Sequence, residues 1–243
     1  MIHVFVDETS DSKFKDYFGL CCAVVKHNFY RQIKAGFQAA LTNGGWDPNV
    51  EFKGSYIFSA TKGCTEVSID KRVDLAETIV ELNTANKNAR MQFAYLKTTT
   101  QDQKFTYLEY FPVLLEQMLS NVRKGQRGQG KDLVTIQCDY RTDLTAGDIR
   151  AVVLPTLHRK GYMLFEDVAM VSSNFETVGI AYADIVGYLV ARIDTISNDS
   201  ELFENVPPEL FETNGKIRKL RSSARLITKI KKLSLYEVSE AAG

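Results

Sequence analysis

The chain has 243 residues, 44% of them hydrophobic and 25% charged, a composition that supports one large or two small packed domains and excludes a fibrous or disordered polypeptide. No apolar run approaches the roughly 18 residues that a membrane span requires, and no basic-then-apolar leader opens the sequence, so a soluble, cytoplasmic protein with no membrane partner is expected. The 30 basic and 30 acidic residues cancel, but the stretch from Lys216 to Lys232 holds eight bases and no acid, which leaves 22 bases against 30 acids elsewhere.

The first ten residues read as a β-branched and aromatic strand that breaks off into Asp7, Glu8, Thr9 and Ser10. A buried strand does not tolerate charge in its interior, whereas its C-terminal end is where α/β sheets place ligands and catalytic groups. An ordinary turn aspartate is the alternative for Asp7. Because Val4 and Val6 alternate with it, Asp7 is expected to face a cleft and Glu8 the opposite side, as an auxiliary at most. Residues 17–26 form a second apolar strand, pairing with the first as a hairpin. Phe29, Ile33, Phe37 and Leu41 mark a helix face that stops at Gly44-Gly45. Glu51-Phe52-Lys53 falls in a short irregular segment before Gly54, and Ser68 stands where it would cap a helix bearing Ile69, Val73, Ala76 and Val80.

A third strand is expected over 90–97, then a long helix over 102–122 interrupted or kinked at Pro112. The basic, Gly-rich loop 123–131 does not match the phosphate-binding G-x-x-x-x-G-K-[ST] pattern. Residues 132–138 read as a fourth strand running directly into Asp139, as the first runs into Asp7. A helix over 146–160 and a fifth strand over 162–171 follow. The expected architecture is therefore α/β, a mixed five-stranded sheet flanked by helices, with a βαβ second half. Residues 1–197 form its body, and 198–243 form an acidic linker plus a basic amphipathic C-terminal helix.

Val178 to Val190 is a thirteen-residue uncharged stretch but for Asp184. A carboxylate in so apolar a helix needs a cation, a basic partner or an open cleft, since an unpaired buried charge is costly; a structural ion pair is the bland alternative. Gly179, Ala183 and Gly187, spaced by four, would let this helix press on the sheet and carry Asp184 to the strand ends. Converging Asp7, Glu51, Asp139 and Asp184 would repel one another unless a divalent cation neutralised them, and hard oxygen ligands select Mg²⁺ or Mn²⁺ over zinc. Two such ions about 4 Å apart clamp the attacking and leaving oxygens in phosphodiester hydrolysis. Lys53 would stabilise phosphate charge or simply pair with Glu51. Four cysteines, Cys21, Cys22, Cys64 and Cys138, lack metal spacing and read as reduced core thiols, and three histidines give no zinc or triad arrangement.

These residues carry a family resemblance. Asp7-Glu8-Thr9-Ser10 resembles a D-E-S-G opening motif, Glu51-Phe52-Lys53 an E-x-K motif, and Ile180-Ala181-Tyr182-Ala183-Asp184 an I-Q-x-A-D motif. With the strand-end Asp139, residues 1–195 are similar to a bacterial and phage domain-of-unknown-function family of the ribonuclease-H-like, retroviral-integrase-like superfamily. The resemblance implies a ribonuclease-H-like fold and a metal-dependent nuclease with Asp7, Glu51, Asp139 and Asp184 as the metal site. Ser10 and Ala181 depart from the family's Gly and Gln.

Nucleic acid is the expected partner, and Lys216, Arg218, Lys219, Arg221, Arg225, Lys229 and Lys232 supply a cationic helix face that either binds phosphates or pairs within the chain. A non-catalytic nucleic-acid- or protein-binding module is the main rival. An aspartyl phosphatase is a lesser one, because Thr9 stands where D-x-D chemistry needs its second aspartate.

Overall fold

The structure is a computed structural model that describes residues 1–10, 18–84, 91–98, 102–122, 132–200, 225–226 and 228–238. Its strands are β1 (Ile2–Ser10), β2 (Phe18–Lys26), β3 (Met91–Thr98), β4 (Asp132–Asp139), β5 (Tyr162–Leu164), β6 (Ala169–Val171) and β7 (Ser234–Val238). Its helices are α1 (His27–Asn43), α2 (Ile69–Thr84), α3 (Gln103–Asn121), α4 (Ala146–Lys160) and α5 (Val178–Ser200), with a short 3-10 turn at Gly54–Tyr56.

The sheet is mixed, in the order β5-β4-β1-β2-β3-β7, with β6 also on β4. Strands β1, β2 and β3 are successive antiparallel neighbours, whereas β4 lies parallel to β1 and carries β5 and β6 in parallel. This α/β arrangement, flanked by helices, is compatible with a ribonuclease-H-like fold.

Strand alternation divides the core into two layers. Phe5, Cys21, Ala23, Val25 and Phe93 face α1, α2 and α5, while Val4, Val6, Cys22, Val24, Val134, Ile136 and Cys138 face α3 and α4. All four cysteines are free and buried. Among the described residues no helix is long and apolar enough to cross a membrane.

The sheet differs from the sequence expectation in three places. The single fifth strand over 162–171 is two short ones, which with β7 makes seven strands rather than five: β5 pairs with 132–134 and β6 with 137–139. Between them Phe165 N–H donates to Val134 O and Asp167 Oδ1 accepts its neighbour Val168 N–H, a turn that interrupts the ladder. β1 does not stop at Asp7, because β2 supplies partners as far as Ser10. Finally, the sequence reading has no strand where β7 stands: Ser234–Val238 joins the edge of β3 in parallel, after helical residues at 225–226 and 228–230. Helix α3 continues through Pro112. The hairpin connection, the Gly-rich loop and most of the acidic arm lie outside the described residues.

Helix α5 sits unusually close to β1. A Cβ on Gly179 would lie 2.3 Å from the Phe5 ring, and one on Gly187 would lie 3.0 Å from Thr9 Oγ1 and 3.1 Å from Cys21 Cβ. Gly179→Ala should therefore lower stability by about 1–3 kcal/mol despite the better helix propensity of alanine, and Gly187→Ala should cost less. Urea denaturation checks this; a Gly179→Ala midpoint at or above that of the wild type would contradict the close seating.

Candidate active site at the ends of the central strands

The parallel ladder between β1 and β4 ends at the pair Val6 and Cys138. Asp7 and Asp139 are the next residues on each strand, on neighbouring strands about 4.8 Å apart. Both belong to the alternation that faces α5, since Val6 and Cys138 lie in the opposite layer. Asp7 is thus inside β1 along its β2 edge but at the strand end along its β4 edge, which is how a 6%-exposed carboxylate is accommodated within a strand.

Asp184 reaches the same place from α5. Its Oδ2 accepts the Gly54 backbone N–H at 2.5 Å. That contact requires glycine, because a Cβ on Gly54 would stand 2.6 Å from Tyr188 Cβ. Residues 51–53 are irregular, as expected, and Lys53 Nζ pairs with Glu51 Oε2 at 3.0 Å. The segment beyond is anchored by Arg72, a residue without a signal in the sequence. Its 2%-exposed guanidinium lies over the Trp46 ring and donates to the carbonyls of Tyr56, Ser59, Lys62, Cys64 and Val67.

The charges of these groups act on one another. Burial pushes the Asp7 carboxyl well above its usual range; the charges of Asp184, Glu8 and Asp139 add to the rise, and the Glu8 N–H bonded to Oδ1 opposes it. Burial likewise raises Asp184 to about 6, against the restraint of the Gly54 N–H and Lys53. Asp139 is raised by burial and restrained by Lys53. Burial works against the Lys53 charge, but Glu51, Asp184 and Asp139 together hold its ammonium protonated above the ordinary lysine range. Cys21, opposite Asp7 on β2, is raised by burial and by the charges of Asp7 and Asp184, and remains a thiol.

Asp7, Glu51, Lys53, Asp139 and Asp184 therefore share one electrostatic neighbourhood. It is not yet a coordination shell: among the described residues no three His, Cys, Asp or Glu side chains stand close enough together to hold an ion.

Glu8 faces the other way. Its Oε1 lies 3.0 Å from Arg141 Nη1, on the α3 side of the sheet, and burial raises its carboxyl to about 7 although Arg141 favours the charged form. Arg141, also missed in the sequence, bonds Asp143 through Nε and Nη2 and lies over the Tyr107 ring.

Of the cationic tail, Lys216, Arg218, Lys219 and Arg221 lie outside the described residues. Arg225 pairs with Glu77 and Asp74, and Lys229 with Glu81, so these two cations meet acids of α2 while Leu226 and Ile230 enter the core. Lys232 is exposed in the turn before β7.

No family model matches the chain, and no curated protein matches it significantly.

Because Asp184 is at about 6 when folded against an ordinary 3.8, the folded state favours its protonated form. Its contribution to stability is present below about pH 4, is lost as pH rises through about 6, and stays lost above. In a chelating buffer at pH 8, Asp184→Asn should be more stable than the wild type by on the order of 1–3 kcal/mol, with the gain shrinking toward pH 4. Urea melts at the two pH values measure it, and a variant less stable at pH 8 would show that the carboxylate is satisfied as it stands.

Proposed function

We propose that this protein is a divalent-metal-dependent nuclease that hydrolyses phosphodiester bonds, with Asp7, Glu51, Asp139 and Asp184 as the metal-holding carboxylates. The observation that supports it most is the meeting of acids from four separate segments, β1, the 51–53 segment, β4 and α5, at the ends of the central strands. Surface acids scatter to reduce repulsion. These are drawn together, partly buried, and raise one another's proton affinity, an arrangement that calls for added positive charge.

The donor set fits the group. It is all carboxylate oxygen, the chemistry that suits magnesium or manganese. Such ions, when bound, supply Lewis acidity toward the phosphodiester and its attacking water.

The chain's own residues do the rest. Asp7 and Asp139 project toward the same face from neighbouring strands, each one residue beyond the last pair of their shared ladder. Asp184 is oriented by the Gly54 N–H. The Lys53 ammonium, held charged by its acidic neighbours, is placed to meet negative charge developing on a substrate phosphate. Glu51, paired to Lys53, orients that ammonium and is exchangeable onto a cation.

A nucleic acid substrate follows from the reaction, and the tail contributes cations to it. Surface ion pairs such as those of Arg225 and Lys229 are worth about 0–1 kcal/mol, so phosphates compete with α2 for them. If the tail binds, affinity should fall steeply with salt, and reversing the charge of Lys229 and Lys232 should weaken binding uniformly across sequences, as a filter or anisotropy titration would read.

Asp7→Asn and Asp184→Asn should each reduce Mg²⁺- or Mn²⁺-dependent cleavage of DNA or RNA by at least about 100-fold while leaving the circular dichroism spectrum intact. Unchanged cleavage in both purified variants would sink the assignment. Metal-independent binding without cleavage by the wild type would instead favour a non-catalytic module.

A further inference from the structure

The β1–β4 ladder, which fixes strand separation, stops one residue short of the two aspartates. On its other edge β4 pairs with β6 from Gln137 to Asp139, and Tyr140 N–H is bonded to Val171 O at 3.0 Å. Beyond the ladder a side-chain bridge links the two strand ends on the opposite face of the sheet: Glu8 follows Asp7, Arg141 lies two residues after Asp139, and Glu8 Oε1 and Arg141 Nη1 are 3.0 Å apart.

The bridge is built as a fixed part. The Arg141 side chain is only 8% exposed. Its Nε and Nη2 fork onto the two oxygens of Asp143 at 2.9 and 2.8 Å, Nη2 also reaches Gln103 Oε1 of α3 at 3.4 Å, and the guanidinium stands 5.8 Å from the centroid of Tyr107. A planar donor fork serves several partners at once, which a lysine ammonium does not reproduce.

We infer that Arg141 is a positioning residue: by bridging Glu8 to the Asp143 and Gln103 side, it clamps the ends of β1 and β4 together and so sets the spacing of Asp7 and Asp139 on the far face. This rests on the reading of those aspartates as cation ligands. It also assigns Glu8 a role as the anionic half of the clamp rather than as a ligand, since it faces the α3 layer.

Arg141→Lys keeps the charge and removes the fork. In a folded protein, as checked by circular dichroism and a urea midpoint, this substitution should weaken Mn²⁺ binding about 10-fold or more by electron paramagnetic resonance titration, because residues that orient ligands typically carry 10- to 100-fold in affinity. A role through charge alone predicts unchanged affinity, and that result would overturn the clamp.

A second measurement needs no cation. Asp7→Asn should stabilise the chelated protein at pH 8 by relieving repulsion from Asp139. The gain should shrink in an Arg141→Met background if the strand ends splay, and grow if Arg141 acts only as a nearby positive charge. If the wild type binds no Mn²⁺, the metal reading fails while this cycle still decides the clamp: a smaller gain supports it, and an equal or larger gain overturns it. Should Arg141→Met not fold, Arg141→Lys serves as the background, with the same smaller gain expected and an equal gain counting against the clamp.

Discussion

The site depends on how closely one helix can lie on one strand. Without side chains at Gly179 and Gly187, α5 settles against Phe5, Thr9 and Cys21, and this short separation brings Asp184 from the helix into the same space as Asp7 from the strand. A bulkier residue at either glycine would lift the helix and turn a shared site into two unrelated carboxylates. A second close approach, Gly54 against Tyr188, adds the 51–53 segment and puts a backbone N–H on Asp184. Both contacts are made by absent atoms, so the geometry rests on what the glycines lack.

The assembly is electrostatically unfavourable in isolation, and the remainder of the fold holds it together. Burial raises Asp7, Asp139 and Asp184, and neighbouring carboxylates raise them further, Glu51 acting on Asp139 and Asp184, and Asp184, Glu8 and Asp139 on Asp7. Apolar packing on both sheet faces supplies the opposing free energy, through the layer around Phe37, Phe93 and Tyr182 and the layer around Tyr107, Phe111 and Leu115. Stability spent in this way at one location is a common mark of a functional site, because folding alone gives no reason to gather like charges. The two faces are also divided in role, with carboxylates facing α5 and the Glu8–Arg141 pair facing α3. That division follows from the two-residue period of a strand, in which adjacent acids must point apart.

Much of the fold was legible because it is periodic. The four-residue spacing of Phe29, Ile33, Phe37 and Leu41 gave α1, of which the last three are buried, and the apolar run before Lys26 gave β2. Element ends were less so. β1 runs past Asp7 because a neighbouring strand, not the local sequence, decides where pairing stops. β7 carries no signal of its own because five residues after a basic stretch show little pattern until β3 offers an edge. Asp7, Asp139 and Asp184 could be singled out by context, each being a charge at the end of, or within, an apolar segment, whereas Glu51 lies in an irregular one. Arg72 and Arg141 could not, because their partners are backbone carbonyls and distant side chains that no local pattern marks.

The sequence by itself determined the alternation that faces Asp7 away from Glu8, the apolar helix interrupted by Asp184, and the glycine spacing that permits close contact. All three are properties of local chain geometry, with periods of 2 and 3.6 residues. Only the tertiary structure decided that Asp7 and Asp139 lie on neighbouring strands, that Gly54 meets Asp184 across 130 residues of chain, and that cations of the tail meet acids of α2. Strand order and helix docking are set by how whole faces pack, a condition that involves every element at once and so is written in no single segment.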